Sequence, residues 1–192
     1  MVEERFDEAI WIAHTLFARG SVTGSAGNIS FLEAGNIYIS GSGTCFGTLE
    51  KEQFSCLSLE GQLLNERKPS KEFPLHQMLY RTKPDIRGVI HTHSLYAVLY
   101  SFLEPEDPAD IVPPYTPYLG MKVGTIGLVP YAKPGSETLF SLMRERLEKS
   151  DAYLLKQHGP VVGGKTLMDA FYGIEELEES LKIAWYLKKA GI

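Results

Sequence analysis

The 192-residue sequence predicts an α/β protein of three layers, in which helices cover both faces of one central sheet. The spacing of apolar residues favours this fold class. Short apolar or alternating segments, typical of strands, are interspersed with longer segments whose apolar residues recur every three or four positions, as in amphipathic helices. A hydrophobic fraction of 44% and a charged fraction of 22% are those of an ordinary globular protein, and we expect one domain over residues 1–192.

The first half of the chain begins with a predicted helix and continues with short strands. Residues 4–19 place apolar side chains at helical spacing. The Glu-Gly pair at 60–61 separates two short apolar segments and predicts a β-hairpin. Another helix is expected to begin at Ser70, a suitable N-cap, with Pro74 in its first turns. The predicted strands are 28–32, 36–40, 54–59 and 62–64, and the second predicted helix is 70–81.

The second half alternates strands with helices. A Pro-rich stretch at 104–120 separates two such groups, and we interpret it as an ordered surface loop. A strand that begins at Val161 is expected to be cut short by the glycines at 163–164. The other predicted strands are 86–93, 123–130 and 152–155, and the predicted helices are 94–103, 136–147 and 166–189.

Charge and composition exclude several functional classes. The net charge is −5 and no segment concentrates lysines and arginines, which argues against nucleic acid as the main partner. No apolar stretch approaches the roughly 20 residues that a membrane-spanning helix needs. The N-terminus has no charged-then-apolar signal pattern, and the two cysteines suit a reducing compartment. We therefore expect a soluble cytoplasmic protein.

Three histidines that follow apolar strand-like segments predict a metal site. His91 and His93 close one such segment, and in an extended strand residues two apart point to the same face. His158 follows the apolar segment 152–155. Three imidazoles with oxygen ligands suit Zn²⁺ best, and Mn²⁺, Co²⁺ or Fe²⁺ are alternatives.

Glu72, in the first turn of the helix predicted at 70–81, has two interpretations. It is a surface carboxylate that the helix dipole stabilises, or it is a metal ligand of the resting protein that leaves the metal to act as acid or base. The residues alone leave both interpretations open.

Two loops of small residues and one helix start predict a phosphate site. The loops at 24–28 and 40–43, with Ser70, offer backbone N–H groups and hydroxyls with little steric bulk. Lys71 either adds a positive charge to a bound phosphate or is simply solvated. No Walker A loop is present.

Five motifs together resemble the class II aldolase/adducin-domain family over about residues 5–189. They are Gly-Ser-Ala-Gly-Asn-Ile-Ser (24–30), Ser-Gly-Ser-Gly (40–43), Lys-Pro-Ser-Lys-Glu (68–72), His-Thr-His-Ser (91–94) and Gln-His-Gly (157–159). The resemblance implies a mostly antiparallel central sheet between helices. It also implies the following site: Zn²⁺ on His91, His93 and His158, Glu72 as the catalytic carboxylate that also contacts the resting metal, and a substrate phosphate on Ser25, Asn28, Ser42, Gly43 and Ser70.

The second half of the chain most resembles the 3-oxo-tetronate 4-phosphate decarboxylase branch of that family. Motifs such as Pro-Pro-Tyr-Thr-Pro-Tyr (113–118) and His-Gly-Pro-Val-Val-Gly-Gly-Lys (158–165) support this similarity. The branch implies loss of CO₂ from a 3-oxo acid through a metal-stabilised enediolate, which gives dihydroxyacetone phosphate. A sugar-phosphate aldolase that yields dihydroxyacetone phosphate and an aldehyde is the alternative. A non-catalytic adducin-like module is disfavoured, because we would expect it to lack the histidines.

The resemblance also implies a homotetramer with its sites at subunit interfaces. An aromatic group of one subunit would then reach the site of its neighbour. Tyr115 and Tyr118, in the Pro-rich stretch, are the candidates for this role, and with Lys71 they are also candidates to meet the leaving group. Packing of the tyrosines within their own loop is the alternative.

Overall fold

A mixed sheet of seven strands forms the centre of the computed structural model, which describes residues 2–191. The strands, in chain order, are β1 (Asn28–Glu33), β2 (Asn36–Ser40), β3 (Phe54–Ser58), β4 (Gly88–His91), β5 (Ile126–Val129), β6 (Ala152–Leu155) and β7 (Gly159–Gly164). Their order across the sheet is β3-β2-β1-β4-β7-β6-β5. All neighbours are antiparallel except β5 and β6, which are parallel because the helix Glu137–Arg144 crosses over between them.

Helices cover both faces of this sheet. They are α1 (Val2–Ala18), α2 (Phe73–Thr82), α3 (Leu95–Tyr100), α4 (Pro117–Lys122), α5 (Glu137–Arg144) and α6 (Leu167–Lys189). One apolar cluster joins α1, α3, α4 and α6 to one face of the sheet, and a second cluster joins α2 and α5 to the other. The predicted three-layer α/β/α sandwich with a mostly antiparallel sheet is thereby confirmed.

Alternation along the strands explains the two clusters. Within β6, Leu154 belongs to the first cluster, whereas Tyr153 and Leu155 belong to the second. Successive side chains of a strand point to opposite faces, so a strand that is apolar at every position needs cover on both sides. Strands β4, β5 and β6 are accordingly buried along their whole length.

The predicted start of α2 was wrong by three residues. The helix begins at Phe73, with Glu72 at its N-cap position, and Pro74 lies at its start. The hydroxyl of Ser70 accepts from the Glu72 N–H at 3.3 Å, and the Phe73 N–H donates to the Ser70 carbonyl. Ser70 therefore closes a tight turn before the helix instead of capping it.

Three other predicted elements differ from the structure. The second arm of the hairpin is reduced to a single bridge between Leu57 and Leu63. The Pro-rich stretch contains α4, which was missed although a proline at N1 is favourable for a helix. The glycines at 163–164 lie inside β7 and do not end it; a Cβ on Gly164 would lie 2.4 Å from the backbone nitrogen of Ala170, so the strand can pass α6 only without a side chain there.

Predicted ends also shift. β4 ends at His91, not at residue 93, and the predicted strand 123–130 and helix 94–103 are shortened to β5 and α3.

Candidate metal and phosphate site

Three histidines meet where two neighbouring strands end. His91 is the last residue of β4, and His93 lies two residues beyond that strand. His158 lies in the three-residue turn between β6 and β7, and β7 pairs directly with β4. Gln157 makes this tight turn possible with a positive φ of 61°, and its N–H donates to the Ser101 hydroxyl. Because β4 ends at His91, the two residues do not share one strand as predicted, but their ring nitrogens converge.

The separation of the ring nitrogens fits one metal ion. The Nε2 atom of His91 lies 3.1 Å from Nε2 of His93 and 3.3 Å from Nε2 of His158. Tetrahedral coordination with Zn–N bonds of about 2.0–2.1 Å requires ligand nitrogens about 3.3 Å apart. The ligand atoms of the three imidazoles all lie within 4.8 Å of one another, close enough to share one metal ion.

Neutral imidazoles are favoured at this site. His91 Nδ1 lies 2.8 Å from the Pro160 carbonyl, so it carries the proton and donates, which leaves a lone pair on Nε2. Burial and then a neighbouring histidine lower the pKa values of His91 and His158 to about 3, and burial is also the main cause that lowers the pKa of His93. Protons therefore compete weakly with a metal for these nitrogens.

Glu72 lies beside the three histidines as a fourth potential metal ligand. Its side chain is buried, with 4% of the residue exposed. Oε2 lies 3.4 Å from His91 Nε2, and Oε1 lies 3.3 Å from His158 Nε2. Oε1 is buried and has no hydrogen-bond partner among residues 2–191. A buried unpartnered carboxylate oxygen beside three convergent lone pairs fits a divalent cation.

Gly159 allows the two halves of the histidine cluster to approach each other. Its φ is +153°, and a Cβ at this position would lie 2.0 Å from the Thr92 carbonyl oxygen and 3.1 Å from the Cα of His93. Any side chain there would push His93 away from His158. The glycine after the third histidine is thus a steric requirement of the site.

The two small-residue loops and part of the histidine cluster line one cavity of about 340 Å³. Ser25, Ser42, Gly43 and Ser70 line it together with His93, His158 and Glu72. Lys71 also lines it, and a Cβ on Gly135 would lie 2.9 Å from the aliphatic stem of Lys71, so that stem packs on the loop that contains Gly135. The predicted phosphate loops and the predicted metal ligands are therefore brought together.

Asn28 lies between the two halves of the cavity. Its Nδ2 donates to Ser70 Oγ at 3.2 Å and to Glu72 Oε2 at 3.0 Å. A phosphate contact from this side chain would replace one of those hydrogen bonds, and its role as a phosphate ligand stays a prediction.

Sequence reasoning gave no role to His76, which contacts Asn28. His76 is fully buried, and its Nε2 lies 2.5 Å from Asn28 Oδ1. Burial and then the nearby His91 lower its pKa to about 3, which favours a neutral ring. The Glu-x-x-x-His spacing, which puts Glu72 and His76 on one helix face, was the available signal.

Family comparison agrees with this geometry. The sequence model described as "Class II Aldolase and Adducin N-terminal domain" matches residues 7–185. This chain belongs to the class II aldolase/adducin family. Within residues 2–191, no helix is both long and apolar enough to cross a membrane.

Relatives of two activities are similar to this family member. A 3-oxo-tetronate 4-phosphate decarboxylase of Escherichia coli O6:H1 is 40% identical over 94% of this chain and 86% of its own length. An L-fuculose phosphate aldolase of Methanocaldococcus jannaschii is 36% identical over 91% of this chain and 92% of its own length. The crystal structure of YgbL from Klebsiella pneumoniae, described as an aldolase, epimerase or decarboxylase candidate, has a TM-score of 0.92 and 36% identity, and covers 96% of this chain and 90% of that one.

The two predicted catalytic tyrosines do not line the cavity of their own chain. Tyr115 and Tyr118 are 44% and 57% exposed, and neither is among the residues around the histidines. Tyr118 belongs to α4, and Tyr115 precedes that helix. Their contribution to a neighbouring subunit stays a prediction.

Proposed function

We propose that this family member is a metal-dependent carboxy-lyase that converts a 3-oxo-tetronate 4-phosphate to dihydroxyacetone phosphate and CO₂. The observation that carries the proposal is the single cavity that joins the phosphate loops to His93, His158 and Glu72, with His91 beside them in the same histidine cluster. A substrate with a phosphate at one end and a breakable C–C bond near the other fits this arrangement. The 40% identity to a decarboxylase of that substrate selects the reaction among those the family performs.

Different residues along the cavity bind the phosphate and the metal ion. The loops that contain Ser25, Ser42 and Gly43 hold the phosphate, with Ser70 from the turn before α2. When bound, a divalent ion on the three imidazoles supplies Lewis-acid stabilisation of the negative charge that develops on the substrate. We propose zinc for this ion, with manganese or cobalt as substitutes, since three nitrogens and an oxygen are its usual ligands.

Glu72 is placed to supply the proton. The C1–C2 bond breaks, CO₂ leaves, and its bonding electrons remain on C2 in conjugation with the C3 carbonyl. Glu72 takes up a proton from solvent and gives it to C2, which produces dihydroxyacetone phosphate and returns Glu72 to its carboxylate form. The buried Oε1, which has no hydrogen-bond partner among residues 2–191, is the oxygen that we assign to this proton transfer.

Lys71 is the charged side chain that we assign to the anionic ends of the substrate. It lines the cavity beside His93, and its stem is held against Gly135. An ammonium group there attracts the phosphate or the carboxylate that leaves as CO₂.

Aldol cleavage of a sugar phosphate is the second candidate, because aldolases of about 36% identity share most of this chain. Both reactions leave negative charge on the same substrate atoms, so the metal group serves either. The test is to supply the zinc-loaded protein with 3-oxo-tetronate 4-phosphate and, separately, with ketose 1-phosphates. Release of CO₂ from the first alone supports decarboxylation, and release of an aldehyde from the second alone overturns it.

We further propose that the active form is a cytoplasmic homotetramer whose sites lie at subunit interfaces. The exposed side chains of Tyr115 and Tyr118, with Met121 at 78% exposure on the same helix as Tyr118, support a contact surface there. Cys45 and Cys56 are both free, in keeping with a reducing compartment.

A further inference from the structure

A chain of buried hydrogen bonds runs from the centre of the sheet to Glu72. The Tyr80 hydroxyl lies 2.7 Å from Ser30 Oγ, which in turn lies 2.7 Å from His76 Nδ1. On the other side of its ring, His76 Nε2 contacts Asn28 Oδ1, and Asn28 Nδ2 contacts Glu72 Oε2. The five side chains come from β1 and from α2 with its N-cap, and all of them are buried.

The direction of every hydrogen bond in this chain follows from Glu72. An ionised carboxylate only accepts, so the Asn28 amide must turn its NH₂ group towards Glu72 and its oxygen towards His76. His76 must then carry its proton on Nε2 and accept at Nδ1 from the Ser30 hydroxyl. Ser30 accepts in turn from Tyr80, whose oxygen receives the Val89 N–H. The direction therefore runs from the backbone of β4 to the carboxylate without a conflict.

We propose that His76 is a positioning residue that acts on Glu72 through Asn28. By donating from Nε2, it prevents the Asn28 amide from flipping and so keeps an N–H group on Glu72 Oε2. This fixes the carboxylate in one orientation and leaves Oε1 as the oxygen available for the metal and for proton transfer. The inference rests on the proposed catalytic role of Glu72, and His76 itself is not among the residues that line the cavity.

The tautomer of His76 distinguishes this role from simple packing. His91 donates from Nδ1 to Pro160, so its proton is on the opposite nitrogen from the one that the proposal requires in His76. A histidine that only filled space would have no required tautomer. Nitrogen-15 NMR of histidine-labelled, metal-free protein measures the tautomer directly in the unmutated chain, with the His76 signals assigned by their loss in His76→Gln.

Variants supply the second readout. His76→Leu introduces an apolar side chain of similar size and removes both the donor and the acceptor. His76→Gln retains one donor and one acceptor group. The control is Tyr153→Phe, which removes another buried hydroxyl, bound to the carbonyls of Leu147 and Ser150 far from this chain of hydrogen bonds. The measurements are kcat for CO₂ release, the melting temperature and the visible absorption spectrum of the Co²⁺-loaded protein, which reports the metal ligands.

We expect His76→Leu to lower kcat by about 10- to 100-fold and to change the cobalt spectrum, as loss of a group that orients a metal ligand does. His76→Gln should restore most of both. Tyr153→Phe should lower the melting temperature but keep the kcat and the spectrum of the unmutated protein. An unchanged kcat and spectrum in His76→Leu, or equal effects in Tyr153→Phe, would overturn the proposal.

Two outcomes separate this inference from the proposed reaction. If the unmutated protein releases no CO₂, the reaction is wrong, and the cobalt spectra and the His76 tautomer still decide the positioning role. If His76→Leu does not fold, the tautomer decides alone. A proton on Nδ1 of His76 would contradict the inference, and a proton on Nε2 would support it.

Discussion

The orientation of the His91 ring depends on a backbone carbonyl. The Nδ1–H group of His91 donates to the Pro160 carbonyl oxygen, with an N···O distance of 2.8 Å. Pro160 belongs to β7, the strand that pairs with β4. Sheet pairing therefore fixes the ring independently of any metal. His158 has no such partner: its Nδ1 is buried without a hydrogen bond among the described residues 2–191.

Replacing one ligand should abolish metal binding. We expect His93→Ala to reduce zinc to well below one ion per subunit and to lower kcat by about 1,000-fold or more, because the metal carries the charge of the transition state. His14→Ala is the matched control, since His14 is exposed on α1 and contacts the Leu49 carbonyl far from the cluster. Zinc content by mass spectrometry and CO₂ release are measured together; retention of both in His93→Ala would contradict the assignment.

The buried histidines should make the metal-free protein sensitive to acid. The pKa values of His76 and His91 are lowered to about 3, mainly by burial, whereas in the unfolded chain they lie near the ordinary value of 6.5. Between these values the unfolded state binds more protons, so the free energy of unfolding falls as the pH falls from 6.5 towards 3. The slope is about 1.4 kcal/mol per pH unit for each such histidine.

Urea denaturation of the chelated protein between pH 6.5 and 4.5 checks this dependence. His76→Gln should have a shallower slope than the unmutated protein, because it removes one of the groups that must gain a proton on unfolding. Equal slopes in the two proteins would show that His76 does not titrate in the way its burial implies.

At the scale of elements, the end of β4 and the turn between β6 and β7 make the site. Gly159→Ala should therefore damage metal binding, because its Cβ would clash with the Thr92 carbonyl and displace His93. Gly35→Ala is the matched control: it also has a positive φ, +79°, but a Cβ there meets nothing within 4 Å. Both variants should lose about 1 kcal/mol or more of stability from backbone strain.

Zinc affinity then separates the two variants. We expect at least a tenfold loss in Gly159→Ala and no loss in Gly35→Ala. Competition with a chromophoric chelator measures the affinity. Equal zinc affinities would mean that the Thr92–His93 segment can move aside without cost to the site.

The sequence predicted the elements that have a strong period and missed those set by tertiary contacts. Strand β6 and helix α6 were predicted closely, because a run of apolar residues and a repeat of 3.6 residues are local signals. The strand through Gly163 and Gly164 was predicted to break. A Cβ at Gly164 would meet the start of α6, and one at Gly163 would meet the Ile86 side chain, and no local pattern records either contact.

The same distinction applies to the site. The three clustered histidines were recognisable because they follow apolar strand-like segments and lie in motifs that resemble those of the family. His76 was not, because its role depends on Asn28 and Ser30, which lie over 40 residues away in sequence and come close only in the folded sheet. Tyr115 and Tyr118 cannot be assigned from one chain, since the proposed role belongs to another subunit.

At the scale of the whole molecule, shared sites predict complementation between subunits. If Glu72 and the tyrosines of one site come from different subunits, mixing Glu72→Gln chains with Tyr115→Phe/Tyr118→Phe chains should restore activity. Random exchange at equal amounts gives about a quarter of the sites with both native residues, as expected for a heterologous interface in a ring. Sedimentation analysis confirms the mixed tetramers.

Two results would contradict that arrangement. Full activity of the double phenylalanine variant would exclude a role for the hydroxyls in turnover. Mixed tetramers without restored activity would place both residues in the same subunit or outside the site.

The central claim is that the three histidines and Glu72 use one metal ion to break the C1–C2 bond of a phosphorylated 3-oxo acid. The most direct measurement is a titration of chelated protein with zinc, in which CO₂ release from 1-¹³C-labelled 3-oxo-tetronate 4-phosphate is followed. The account predicts no release without metal and a linear rise that stops at one zinc per subunit. Undiminished release from the chelated protein, or no labelled CO₂ from the fully loaded protein, would contradict it.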